Sequence, residues 1–153
     1  MIQRIQTAFL IIATGLLSIM LFSPVAKIVR KADDALFKLG FNGLTDIEKF
    51  SESFNSVPMS ILIAICIAIC ITTIFLYKKR VLQIRLCVGN IVLLLGLEGL
   101  MFYYVRAAKQ MLDGITSYTI VFILPLVAAI LVFLALRGIA RDEALVKSLD
   151  RLR

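Results

Sequence analysis

Residues 58–77, PMSILIAICIAICITTIFLY, run for twenty positions without a charged side chain, and the triplet KKR follows directly. An α-helix rises about 1.5 Å per residue, so this stretch can cross a hydrocarbon core of about 30 Å. Pro58 suits the first turn of such a helix because an N–H there would have no helical partner anyway. The stretch therefore predicts a membrane-spanning helix.

Three further runs have the same character. The chain has 153 residues and is 61% hydrophobic, whereas a soluble domain is about 45–50% apolar, and the excess lies in four blocks. The predicted spans are residues 5–26, 58–77, 86–105 and 115–136, with Pro125 inside the last. The first run also resembles a secretory signal peptide, but we interpret it as a retained span. We predict an all-α membrane protein, a single four-helix bundle over residues 1–153.

The basic residues predict the orientation of this bundle. With the N-terminus inside, ten Lys and Arg fall on the cytoplasmic side and seven outside. The segment KKRVLQIR, residues 78–85, is a short connection with four basic residues and no acid, and short connections dominate the positive-inside rule. Both termini are therefore predicted to be cytoplasmic. The same four residues are candidates for contact with lipid headgroups: Lys78, Lys79, Arg80 and Arg85.

Two segments outside the spans carry local patterns. In the outer loop, residues 27–57, Asn42-Gly43 predicts a turn, and Thr45 with Glu48 has the spacing of a helix capping box. Ile47, Phe50 and Phe54 would share one face of the short helix that follows. The cytoplasmic tail, residues 137–153, has leucines at helical spacing, which predict an amphipathic helix. This helix either lies on the membrane surface or binds a partner through Leu145, Leu149 and Leu152.

The chemistry-bearing residues are sparse. The chain has no His, and its three Cys lie in apolar runs with no CxxC pair, so a thiol-redox enzyme is disfavoured and no metal site or cofactor is predicted. We interpret Cys66, Cys70 and Cys87 as small hydrophobic residues. The net charge of +7 reflects membrane topology rather than nucleic-acid binding.

Three stretches carry a resemblance to a known family: MIQRIQT at residues 1–7, YKKRVLQIRLCVGN at 77–90 and RDEALVKSLDRLR at 141–153. Together with the four-span hydropathy, they resemble an uncharacterised family of small four-helix inner-membrane proteins of Bacteroidetes, classified as a domain of unknown function. The resemblance covers the whole length and implies a bacterial inner membrane. It implies no activity and no catalytic residue.

Glu98 is the one acidic residue inside the predicted spans. An ionised side chain at the centre of a helix costs roughly 2.5–3.5 kcal/mol, so we expect Glu98 to be protonated and to face protein. Counting along each helix places Ser18, Cys66 and the carbonyl of Val121 at the depth of Glu98, and Pro125 would leave that carbonyl without its helical donor. These groups predict an intramembrane polar network around Glu98.

A second polar layer is predicted nearer the inner surface, where Asn90 matches Thr72 and Thr73 in depth. Small residues on the third span would let a neighbouring helix approach closely: Gly89, Gly96 and Gly99. We predict a non-enzymatic accessory or scaffold subunit of a membrane assembly, with a protein partner or further copies of itself. The alternative is a homo-oligomeric proton or ion channel or transporter that uses Glu98. A membrane enzyme ranks third because no nucleophile has a base beside it.

Overall fold

Four long α-helices dominate the computed structural model, which describes residues 2–31, 34–41, 43–46, 56–77 and 79–150, without the side chains of residues 2–4, 46, 147, 149 and 150. The helices are α1 (Ile2–Phe22), α2 (Val57–Phe75), α3 (Arg80–Leu112) and α4 (Leu124–Asp150). Each of the four helices supplies a stretch that is long and apolar enough to span a membrane, which confirms the predicted number of long apolar helices.

The helices form a ring in which each packs against two neighbours. α1 packs against α2 and α4, and α3 packs against the same two helices. Side chains from all four helices are fully buried inside the ring, whereas large apolar side chains on the outer faces are exposed. The buried face includes Leu17, Met20, Met59, Ile63, Leu94, Leu97, Met101 and Val132. A bundle with an apolar exterior is the arrangement expected in lipid.

A four-stranded antiparallel sheet makes the prediction of an all-α protein wrong. Its strands are β1 (Ala26–Arg30), β2 (Leu36–Gly40), β3 (Gly43–Asp46) and β4 (Gly114–Tyr118), in the order β3-β2-β1-β4. The sheet lies at the end of the bundle where α1 and α3 end and α2 and α4 begin. It contains strands from the α1–α2 connection and from the α3–α4 connection. We call this side the sheet end and the opposite side, where α1 begins and α4 ends, the termini end.

The strands form because apolar residues alternate with lysines. In β1, Ala26 and Ile28 are buried and Lys27 is exposed, and in β2 Lys38 is exposed between two buried residues. A period of two places the apolar side chains on the face that packs on the bundle.

The predicted turn joins β2 to β3, and Gly43 has the positive φ, 118°, expected there. The predicted capping box is wrong, because Thr45 lies within β3 and pairs with Lys38. The rest of that prediction falls outside the described residues: Asn42, Ile47, Glu48, Phe50 and Phe54.

The sheet is attached to the helices by hydrogen bonds. Ser56, directly before α2, donates its hydroxyl to the carbonyl of Phe41 at 2.8 Å, and Ser60 donates to the same oxygen. Pro58 lies in the first turn of α2, as predicted. The beginning of α2 is thereby held against the β2–β3 hairpin.

The third and fourth helices differ in extent from the predicted spans. α3 runs through Arg85, Arg106 and Leu112, so the basic segment and the outer connection are mostly helical. Residues 115–118 belong to β4 rather than to the fourth span, and a 3₁₀ turn, Ile120–Ile123, leads into α4. α4 then continues as one helix to Asp150, so much of the predicted tail extends the fourth span.

Candidate functional site

Glu98 lies partly buried on α3, and its Oε2 atom is buried with no hydrogen-bond partner among the described residues. Two of its expected partners have other bonds. The hydroxyl of Ser18 donates to the Thr14 carbonyl of its own helix at 2.9 Å, and the carbonyl of Val121 accepts from the Leu124 N–H. In the described structure, neither the Ser18 hydroxyl nor the Val121 carbonyl is therefore hydrogen-bonded to Glu98.

The prediction places Pro125 in the interior of the fourth helix, but the structure places it in the first turn, as the second residue of α4. In the first turn a proline displaces no helical hydrogen bond, because the N–H at that position has no acceptor within the helix. The helix begins later than predicted, because residues 115–118, which the prediction assigned to the span, form β4 instead. The prediction that Pro125 frees a carbonyl in the membrane is wrong.

Asn90 forms the clearest polar contact inside the bundle. It is 1% exposed, and its Nδ2 donates to Cys70 Sγ on α2 at 2.9 Å, while its Oδ1 has no partner among the residues described. Thr14 on α1 also faces the Cys70 thiol. The predicted partners differ, since the hydroxyls of Thr72 and Thr73 donate to carbonyls of α2 itself. The inner polar layer exists, but Cys70 rather than a threonine completes it.

Two polar contacts near the termini end were missed by the sequence reasoning. Gln83, 8% exposed, donates from Nε2 to the carbonyl of Thr73 at 2.8 Å. Gln6 donates from Nε2 to Asp142 Oδ2 at 2.7 Å, joining the beginning of α1 to α4. A signal for the first existed, because Gln83 lies seven residues before Asn90 and so shares its helix face.

Among the described residues, the polar contacts do not continue across the bundle. Between the Asn90 layer and the sheet, the interior is filled by Leu17, Ile63, Leu94 and Met101, each fully buried. An apolar lining of this kind offers no polar partners for the water that would carry a proton or an ion. Within one copy of the described chain, Glu98 is therefore separated from the termini end by apolar packing.

The glycines of α3 do not pack within the chain. Gly89, Gly96 and Gly99 lie on its exposed side, and a Cβ built on any of them meets no described atom within 4 Å. Gly138 on α4 differs, because a Cβ there would lie 2.9 Å from Cγ of Gln6. The prediction that the α3 glycines admit a close neighbour is therefore not met inside the bundle. They form a line of small residues on its outer surface, which we call the α3 glycine line.

The basic residues of the α2–α3 connection line a groove at the termini end, with a volume of about 820 Å³. Lys79, Arg80 and Arg85 contribute to it, and Lys78 lies outside the described residues. The groove reaches α4, where Glu143 and Val146 form its other wall. The predicted headgroup-contact residues that the structure describes therefore share one surface with the tail helix.

The apolar stripe of the tail is only partly visible. Leu145 is 54% exposed on α4, while the side chain of Leu149 and the whole of Leu152 fall outside the described part of the chain. The three cysteines are buried and unpaired. Across the described residues, no group of three or more His, Cys, Asp or Glu side chains is placed to hold a metal ion.

The comparisons with known proteins confirm the resemblance to an uncharacterised domain family. The family described as "Domain of unknown function (DUF4293)" matches residues 2–152. A search of curated proteins finds no match. Because the family match covers nearly the whole chain, the protein belongs to the DUF4293 family.

Proposed function

We propose that the protein is a non-enzymatic accessory or scaffold subunit of a bacterial inner-membrane assembly, and that a helix of its partner docks on the α3 glycine line. The observation that carries this proposal is the exposure of Gly89, Gly96 and Gly99 together, with no side chain of the described residues packed on them. Positions seven and three apart share a helix face, so the three glycines form one line.

The energetics of membrane helices favour this role for the glycine line. Lipid tails are as apolar as leucine, so helices associate through close packing, and interfaces are rich in small residues that allow it. Each glycine inside a helix costs about 0.8–1.0 kcal/mol relative to alanine. The three glycines gain no packing in the chain itself that would offset this cost. A partner helix packed against the α3 glycine line would supply that packing.

The orientation proposed from the basic residues places the termini end in the cytoplasm. Lys79, Arg80 and Arg85 cluster there, as the positive-inside rule requires of a cytoplasmic surface. The continuation of α4 to Asp150 then extends into the cytoplasm and exposes Leu145 as a second possible contact for a partner. The sheet would face the opposite compartment.

Native mass spectrometry of the gently extracted chain tests the proposal. We expect foreign polypeptides to accompany the 17.0 kDa chain. Gly96→Leu fills the glycine line and should release them. Gly15→Leu is the matched control, because Gly15 is also exposed with nothing within 4 Å but lies on α1, which is not adjacent to α3 in the ring. Foreign chains that survive Gly96→Leu, or that never appear, would contradict the proposal.

A homo-oligomeric proton or ion channel or transporter is the second candidate, and the unpartnered Oε2 of Glu98 favours it. Intramembrane carboxyl groups often mark ion paths. Because apolar side chains fill the bundle around Leu94 and Leu97, such a path would run between copies, where several Glu98 side chains could form a ring.

Flux measurements separate this candidate from the first. In liposomes that contain only this chain, Glu98→Gln should abolish proton or cation flux if the channel exists. Asp113→Asn is the control, since Asp113 lies outside the spans and Asn tolerates its left-handed backbone. Discrete multiples of the chain's own mass together with flux sensitive to Glu98→Gln would replace the accessory-subunit proposal. Flux equal to that of empty liposomes would end the channel reading.

A further inference from the structure

The groove at the termini end is lined by basic side chains together with apolar and aromatic ones. This composition differs from that of a packing defect and from that of a solvent-exposed run of charges. Its cationic side chains are Lys79, Arg80 and Arg85, against a single acid, Glu143. Its other described lining residues are apolar or aromatic: Tyr77, Val81, Leu82 and Val146. We call these eight residues the basic groove. One concave surface thus combines a net positive charge with a hydrocarbon-compatible wall.

The apolar wall is open to the surroundings. Val81 is 47% exposed, Leu82 40% and Val146 39%, and the ring of Tyr77 is 59% exposed. A groove for a soluble anion such as phosphate gains nothing from exposed aliphatic side chains, which cost free energy in water. Contact with acyl chains removes that cost while the cations stay at the polar surface.

The position of the groove along the bundle agrees with headgroup depth. α2 is 19 residues long, and Tyr77 and Lys79 follow within a few residues of its last turn. At 1.5 Å per residue, α2 measures about 28 Å, close to the thickness of the hydrocarbon core. Glu143 lies about the same distance from the beginning of α4. The basic groove is therefore at the boundary between acyl chains and headgroups, where Tyr also concentrates.

We propose that the basic groove binds an anionic glycerophospholipid, with its phosphodiester against Lys79, Arg80 and Arg85 and its acyl chains along Val81, Leu82 and Val146. The volume of about 820 Å³ lies within the usual range of small-molecule sites, about 300–1,000 Å³. Arginine side chains present paired donors that match phosphate oxygens. The site involves neither the α3 glycine line nor Glu98, so it does not depend on the proposed function.

A lipid of this kind would contact two separate elements of the chain. Lys79 and Arg80 lie at the α2–α3 turn, whereas Glu143 and Val146 belong to the last turns of α4. Arg80 also lines a small cavity of about 20 Å³ with Gln6 and Asp142, the pair that joins α1 to α4. A phosphodiester held at Arg80 would therefore add a bridge beside that pair.

The test is lipid binding by the full chain in detergent, followed by native mass spectrometry. The probes are phosphatidylglycerol and phosphatidylcholine with identical acyl chains, which differ in net charge. We expect tighter binding of phosphatidylglycerol. The double variant Lys79→Gln/Arg85→Gln should weaken it by about fivefold for each charge removed. Both side chains are exposed, so the exchange should leave the thermal unfolding temperature unchanged.

The matched control is Arg141→Gln, which removes an exposed basic residue from α4 at the same end of the bundle but outside the groove. It should leave binding of both lipids unchanged. Equal binding of the two lipids by the unaltered chain would overturn the proposal, and so would an equal loss in the control. Displacement of phosphatidylglycerol by millimolar inorganic phosphate would show that the groove recognises a soluble anion instead. If the double variant fails to fold, the comparison of the two lipids on the unaltered chain still decides.

Discussion

Gly114→Ala should push β4 away from β1, because a side chain at this glycine would collide with β1. A Cβ built on Gly114 would lie 2.6 Å from the carbonyl oxygen of Val29 and 2.7 Å from Cγ2 of Ile28. Ordinary contact begins at 3.4 Å, so the strands would have to separate by about 0.8 Å. Gly114 pairs with Arg30 in the register, and the atom it would strike is backbone, which cannot rotate away.

The expected cost is that of overpacking, about 1–3 kcal/mol in the free energy of unfolding. For a chain of this size, 1 kcal/mol corresponds to about 2–4 °C in Tm, so Gly114→Ala should lower Tm by about 2–12 °C. Thermal unfolding in detergent micelles measures it. Gly40→Ala is the matched control in β2, since a Cβ there meets nothing within 4 Å. Removing that glycine should leave Tm unchanged or slightly higher.

Equal Tm values for Gly114→Ala and Gly40→Ala would refute this reasoning. A disulfide between Lys27→Cys and Ser117→Cys gives a second readout, because these positions are direct partners in the β1–β4 register. It should form in the otherwise unaltered chain and form less readily when Gly114→Ala is added. Undiminished cross-linking in that combination would show that the strands tolerate the methyl group.

Three further predictions concern the helices. Gly138→Ala would bring a Cβ within 2.9 Å of Cγ of Gln6 and should break the hydrogen bond from Gln6 to α4, lowering stability by about 1 kcal/mol in thermal unfolding; an unchanged Tm would contradict it. Leu94→Ala should lower the free energy of unfolding by about 2 kcal/mol or more, because it leaves a cavity in the bundle. Asn90→Ala should lower it clearly less, because the described partners of Asn90 are limited to one bond to sulfur and its oxygen is unpaired among the described residues. The reverse order would be inconsistent with the packing described. The three cysteines should resist maleimide in the folded chain and react after denaturation, because each is at most 1% exposed; labelling of the folded chain would show that the bundle opens.

The membrane helices could be predicted from the sequence because hydrocarbon is a uniform solvent that imposes a local requirement. Any uncharged apolar run of sufficient length satisfies it, and residues 57–75 do so almost without reference to the rest of the chain. The boundaries were less predictable where tertiary pairing competes. Residues 115–118 carry no charge and were therefore assigned to the start of a span, but they pair with β1 instead.

The sheet was not predicted because its strands are short and pair with residues that are far away in the sequence. Ala26 pairs with Tyr118, which lies 92 positions later in the chain, and no local pattern encodes that contact. The spacing of Thr45 and Glu48 suits a helix start, yet pairing with Lys38 places Thr45 in a strand. The alternation of buried residues around Lys27 and Lys38 was the available signal.

The depth of the polar residues in the bundle could be predicted from the sequence, but their hydrogen-bond partners could not. Depth along a helix follows from counting residues, so a polar layer around Asn90 could be predicted. The rotation of each helix about its axis decides which side chains meet, and weakly amphipathic spans leave that rotation undetermined. Asn90 therefore bonds to Cys70, while the threonine hydroxyls turn to their own helix.

Site-specific photo-cross-linking in the native membrane tests the central claim, that the α3 glycine line is a docking surface for another protein. A benzophenone side chain at Val92, 64% exposed between Gly89 and Gly96, would lie on the line. The same probe at Ile12, 51% exposed on α1, is the control for lipid-facing positions. The account predicts a cross-linked adduct with a different polypeptide from Val92 and none from Ile12. No protein adduct from Val92, or the same adduct from both positions, would contradict it.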